Sequence, residues 1–221
     1  MPLTFWLPRD RPDLLPRGRL LRRALAFDEH HLGPYPFAAL SLVAVDGYSN
    51  GMENQTLVTM GASRQILSPE NIVHEVAHQW YGDTVTPRDW RDVWMNEGMA
   101  TYLQDVWDAR HNRVGIHHWL RILRVYEERQ ARRDYGPPAS YDPTPFAAGN
   151  VYFGPELMWQ ELRQKVGARR FWAMVRAWPV ERRDANAGRR EYLRWIERRL
   201  HRDLGAFFHA WLLAPTSPRF R

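Results

Sequence analysis

His74 and His78 stand four residues apart, with Glu75 beside the first. On a helix, four residues turn about 400° and climb roughly 6 Å, so both imidazoles project from one face and can converge on one ion. Glu97 follows with eighteen residues between it and His78. Two neutral imidazoles and one carboxylate make a donor set suited to a catalytic zinc, with the remaining position open to water. Glu75 is then the base that takes a proton from that water. The spacing points to metal-assisted hydrolysis, with His74, His78 and Glu97 holding one Zn2+ per chain.

Two helices have to present these groups. Ser68 is a suitable N-cap and Pro69 falls at the favoured first helical position. Ile72, Val73, Val76 and Ala77 supply an apolar side, and Gly82 stops the segment, so a helix is expected over 69–81. A second helix over 92–110 carries Glu97 inward, with Gly98 and Ala100 small enough for close helix approach. Trp80, Trp90 and Trp94 are expected to pack the two together, and Asn96 and Asp92 are candidates to support the ligands. Further helices are expected over 19–31, 115–133, 155–166, 168–178, 189–200 and 203–213. Strand-like runs cover Ala39–Val45 and Thr56–Met60. The stretch Tyr135–Asn150, rich in proline and small residues, reads as a long loop leading to Tyr152. His117 and His118 lie about 100° apart on a helix and cannot share a metal face. His30, His31, His111, His201 and His209 read as surface or packing residues.

The run from His74 to Tyr102, HEVAHQWYGDTVTPRDWRDVWMNEGMATY, resembles the zinc signature of the aminopeptidase N family of gluzincin metallopeptidases. Upstream, Gly51-Met52-Glu53-Asn54 resembles that family's exopeptidase motif, and downstream Val151-Tyr152 resembles the segment bearing its catalytic tyrosine. His31 through Pro36 resembles the entry to the family's catalytic domain, and Asp203-Leu204 through Trp211-Leu212 its closing helix. The resemblance implies an α+β fold, a thermolysin-like zincin catalytic domain over 19–215 with a small β-containing N-terminal lobe followed by a mostly helical lobe. An irregular lead-in over 1–18 and a tail over 216–221 flank it.

The resemblance also implies roles. The substrate is a peptide with a free N-terminus, and the reaction releases its N-terminal residue. Tyr152 donates a hydrogen bond to the oxyanion of the tetrahedral intermediate. Glu53 holds the substrate α-ammonium, while the strand of Gly51, Met52, Glu53 and Asn54 pairs with the substrate backbone. Gly51 permits close backbone approach. Two positions depart from the pattern. Asn50 stands where the family motif begins with glycine, and Gly154-Pro155-Glu156 replaces a basic residue, glycine and alanine after the tyrosine. Family members also carry an all-β domain before the catalytic one. Without it in this sequence, either a fragment of a longer protein or a catalytic-domain-only form is expected, with the surface that domain covers exposed or paired with another chain and exopeptidase selectivity weakened.

Composition sets the outer bounds. The chain has 221 residues, 44% hydrophobic and 25% charged, enough for one large domain with a sizeable core. The net charge is +6, and Lys165 is the only lysine. The arginines sit beside acidic residues, as in Glu127-Glu128-Arg129, so solvated helix faces rather than nucleic-acid binding are expected. No apolar run approaches the roughly 20 residues that span a bilayer, and Pro8, Arg9, Asp10 and Arg11 interrupt any signal-peptide pattern. Zero cysteines exclude disulfides and thiolate ligation and leave the compartment open. Two other readings stay open at this point: an epoxide hydrolase using the same zinc, as in the leukotriene hydrolases of the family, or a non-catalytic zinc-binding interaction module.

Overall fold

Leu40–Val45 shows why a sheet forms at the start of the chain: Leu40, Leu42 and Ala44 are buried while the residues between them are more exposed, the period of two that a half-buried strand requires. The computed structural model describes residues 1–112, 115–144 and 148–218. The N-terminal sheet has the strand order β1 (Leu3–Trp6), β2 (Leu40–Val45), β4 (Leu57–Gly61) and β3 (Gly51–Met52). β1, β2 and β4 run parallel, and β3 pairs antiparallel to β4 with Gly51 opposite Met60. Helix α1 (Gly18–Leu32) makes the crossover from β1 to β2 and buries Leu21, Ala24, Leu25, Asp28 and Leu32 along one face. The two expected strand runs are present. The irregular lead-in expected over 1–18 gives way at Leu3–Trp6, which pairs with β2 from Leu3↔Leu40 to Trp6↔Val43, and at Pro12–Arg17, a 3₁₀ turn.

From Ser68 the chain is mostly helical: α2 (Pro69–Ala77), α3 (Trp94–His111), α4 (Ile116–Tyr126), α5 (Arg132–Tyr135), α6 (Gly149–Val166), α7 (Ala168–Glu181), α8 (Arg189–Leu200) and α9 (Gly205–Leu212). Two short parallel strands, β5 (Val85–Pro87) and β6 (Ala185–Ala187), add a pairing that the sequence did not suggest. The helix expected over 115–133 is interrupted by a wider π turn at Glu127–Ala131. Of the loop over 135–150 and the tail over 216–221, residues 145–147 and 219–221 lie outside the described residues. No helix among the described residues is long and apolar enough to cross a membrane.

Helix α3 is the axis of the helical lobe, and every residue from Trp94 to Leu103 is buried. It crosses α6 at Gly98, where a β-carbon would stand 2.3 Å from that of Pro155. Any side chain there would force the helices apart, as the smallness of Gly98 suggested. Trp80 and Trp94 are buried in the core, and Trp90 is 44% exposed.

Candidate active site

Ser68 caps α2 as expected, its hydroxyl accepting from the Asn71 N–H at 3.4 Å. The helix is shorter than 69–81: it ends at Ala77, and Gly82, with φ of 145°, turns the chain away. His78 keeps helical backbone angles as the C-cap, so the geometry set by its spacing from His74 survives. The two ring centroids lie 4.9 Å apart. Glu97, in the first turn of α3, brings Oε2 to 3.3 Å from His74 Nε2 and 3.4 Å from His78 Nε2. Two donors each about 2.0–2.1 Å from one ion at a tetrahedral angle lie about 3.4 Å apart. The donor set therefore fits zinc.

Ring orientation supports the same fit. His78 Nδ1 lies 3.1 Å from the Tyr81 carbonyl, which makes Nδ1 the protonated nitrogen and leaves the Nε2 lone pair free for a metal. His74 Nδ1 has no such partner among the described residues; its ring stacks instead on Tyr152, with centroids 6.2 Å apart. Burial pushes the Glu97 carboxyl up, but the adjacent His78 and His74 imidazoles outweigh it and hold Glu97 well below the usual carboxylate range. Burial alone would lower the His78 imidazole, and Glu97 and Glu53 reverse that and raise it.

Glu75 projects from α2 beside the ligands, and burial pushes its carboxyl up to about 7 while the two imidazoles pull the other way. Gly51 has a sharper role than the sequence suggested. A β-carbon there would stand 2.0 Å from Glu75 Oε1 and 2.4 Å from its Cδ. The close approach that Gly51 permits is thus to the Glu75 carboxylate itself. Oxygen atoms of Glu53 and Glu75 lie with a nitrogen of His78 inside a 4.8 Å cluster. Tyr152, on the first turns of α6, keeps its proton: burial raises its phenol, and Glu97, Glu53 and Glu75 raise it further.

All of these side chains border one cleft of about 430 Å³, together with Gly51 and Met52. Asn54 stands apart from its lining, accepting the Thr59 hydroxyl at 3.3 Å instead. Asp92 does not reach the ligands either; its Oδ2 accepts the N–H of Arg189 at 2.9 Å, at the start of α8. His117 and His118 are exposed on α4. The cleft also takes in Thr101, Gln104 and Asp105, four, seven and eight residues beyond Glu97 on one face of α3, a helical spacing that was readable in the sequence. Glu156, which replaces a small residue of the family pattern, is fully buried against Asp105, and its carboxyl is raised by burial and by that neighbour.

The chain matches the Peptidase family M1 domain over residues 20–211. It is 37% identical over 91 residues to endoplasmic reticulum aminopeptidase 2 of Bos taurus, which takes in 35% of this chain and 9% of that protein. It is 36% identical over 116 residues to the human thyrotropin-releasing hormone-degrading ectoenzyme, 43% of this chain and 11% of that one. The fold is similar to the M1 zinc metallopeptidase of Deinococcus radiodurans, with a TM-score of 0.81 and 24% identity over 97% of this chain and 47% of the other. The chain therefore spans about a tenth of these two relatives in sequence and under half of the structural neighbour. A family match over nearly the whole chain, on an α+β frame of that fold, makes it a member of peptidase family M1, the zinc metallopeptidases of the aminopeptidase N type.

Proposed function

We propose that this chain is the catalytic domain of a zinc aminopeptidase, which hydrolyses the first peptide bond of substrates with a free N-terminus. The observation that carries the reading is the cluster of Glu53, Glu75 and His78. A second carboxylate so close to the base forms a seat for an α-ammonium. Electrostatic recognition of that cation fixes which carbonyl lies beside the ligands.

His74, His78 and Glu97 would hold the metal. A zinc ion held there would supply a Lewis acid for the scissile carbonyl and would bring the pKa of a water molecule toward about 7. Glu75 accepts a proton from the attacking water and returns it to the departing amine, so the residue ends as it began. Tyr152, kept neutral, donates its O–H to the oxyanion that develops on the carbonyl. β3 lies at the edge of the sheet, where a substrate main chain would pair by strand addition, and Gly51 keeps that edge close to Glu75.

The test is turnover of aminoacyl-coumarin substrates by zinc-loaded protein. Glu75→Gln should lower kcat/KM about 10³-fold, the contribution of a general base, without lowering zinc content. N-acetylation of the substrate should abolish cleavage in the parent protein. Equal cleavage of blocked and unblocked substrates would overturn the assignment of Glu53 to amine recognition.

A further inference from the structure

Gln79 follows His78 directly and is completely buried, yet its side chain turns away from the metal ligands. Its Nε2 donates to Asp83 Oδ2 at 2.7 Å and to the Glu53 carbonyl at 3.2 Å, with the Asn54 carbonyl at 3.5 Å. Its Oε1 accepts the Thr56 backbone N–H at 2.8 Å and faces the Tyr35 hydroxyl at 3.1 Å. Both hydrogens of the amide and one lone pair of its oxygen are thereby engaged, and the single Tyr35 hydroxyl proton is shared between Oε1 and the Ala39 carbonyl, also at 3.1 Å. Three of these contacts fall on the segment 53–56, so one side chain links the end of the metal helix to the loop carrying Glu53. The Gln79 backbone is fixed as well, because the Thr84 hydroxyl donates to its carbonyl at 2.7 Å.

That loop needs holding. Thr56 has φ of 63°, a left-handed conformation that is sterically disfavoured for a β-branched residue. Such a residue costs about 1–3 kcal/mol and persists only where its surroundings over-determine it. Gln79 Oε1 on one side of Thr56 and the Ser41 N–H, donating to the Thr56 carbonyl at 2.8 Å on the other, supply that determination.

We propose that Gln79 is the positioning residue of the amine-recognition loop: it sets the distance from Glu53 to the metal ligands and so the selectivity for a free N-terminus. The inference rests on the reading of Glu53 given above.

The test compares binding of leucine hydroxamate and N-acetyl-leucine hydroxamate to zinc-loaded protein by calorimetry. The two share a metal-binding group and a side chain and differ in the free amine. Gln79→Met, of similar length but without the amide, should weaken leucine hydroxamate about tenfold or more and leave the acetylated compound within about twofold, as expected when a contacting group is misplaced. In metal-free protein the Thr56 amide should exchange its hydrogen faster, since its acceptor is gone. A second pair of variants covers the case in which Gln79→Met does not fold. Gln79→Glu alone sets a carboxylate against Asp83 and should lose amine selectivity, and adding Asp83→Asn restores a donor between the two positions and should recover part of it. Parallel loss of both hydroxamates, or a Gln79→Met protein with the parent's selectivity, would overturn the inference alone. A parent protein that binds both compounds equally would overturn the aminopeptidase reading with it.

Discussion

Two clusters of buried charge among the described residues are built differently. Under the bend between α4 and α5, Arg132 donates from Nε to Glu127 at 2.8 Å, from Nη1 to the Ala214 carbonyl and from Nη2 to the Trp211 carbonyl, both at 2.8 Å. The pair is almost fully buried, and the chain itself supplies the balancing charge. In the cleft, Glu97 is paired with two imidazoles, while Glu53 and Glu75 stand nearby within reach of His78. That cluster gathers carboxylates around weak bases, and on the reading proposed above a metal cation would complete it. The first arrangement fixes α9 against the bend. The second is where the proposed metal and substrate would sit. The first cluster closes on itself through Arg132, and the second does not.

The largest effect that separates the two is expected at Arg132. Arg132→Met strands the Glu127 carboxylate in the interior and should cost about 3–5 kcal/mol in urea unfolding, the usual penalty for removing one partner of a buried pair. Glu127→Leu in the same chain should recover most of it. A loss below about 1 kcal/mol would show that the pair is not the anchor its hydrogen bonds suggest. In the cleft the sensitive position is Gly51. Gly51→Ala drives a methyl group into the Glu75 carboxylate, and displacing the base by about 1 Å should lower kcat/KM about 10²-fold. The same change should cost about 1–3 kcal/mol of stability. An active alanine variant would mean that Glu75 tolerates movement.

Metal loading sharpens the contrast. A ligand that binds only the folded state at 100 times its Kd stabilises by about 2.7 kcal/mol. Zinc should give the parent and the Arg132→Met protein the same increment, measured by unfolding with and without a chelator. Unequal increments would mean that the two charge clusters are energetically coupled.

The centre of the site was legible because its signal is local. Four residues on one helix fix His74 against His78, and the smallness of Gly98 shows in the sequence as plainly as in its contact with Pro155. What escaped depends on partners far along the chain. Leu3–Trp6 becomes a strand by pairing with residues 40–43, and Val85–Pro87 by pairing with 185–187. Short segments of this kind acquire their structure from tertiary context rather than propensity. The start of α6 was misplaced for a related reason. Pro155 reads as a first-turn residue, but the helix begins at Gly149, and buried Asn150 ties that earlier turn to the Tyr135 and Gly136 carbonyls at 3.1 and 2.9 Å. Gln79 was adjacent to the motif and still silent, since Tyr35, Glu53 and Thr56 lie 23 to 44 residues before it.

The smallest effect tests where the cleft's influence stops. Asp92 lies five residues before Glu97, near enough in sequence to suggest support for the ligands. Its carboxylate instead accepts the first N–H of α8 at 2.9 Å, and α8 has no side-chain cap from its own Gly188. Asp92 therefore belongs with the architectural charges. Asp92→Ala should cost about 1 kcal/mol, the loss of a helix cap, with zinc affinity unchanged in a chelator competition. A tenfold weaker zinc site would move Asp92 into the cleft's own network and blur the boundary between the two kinds of buried charge.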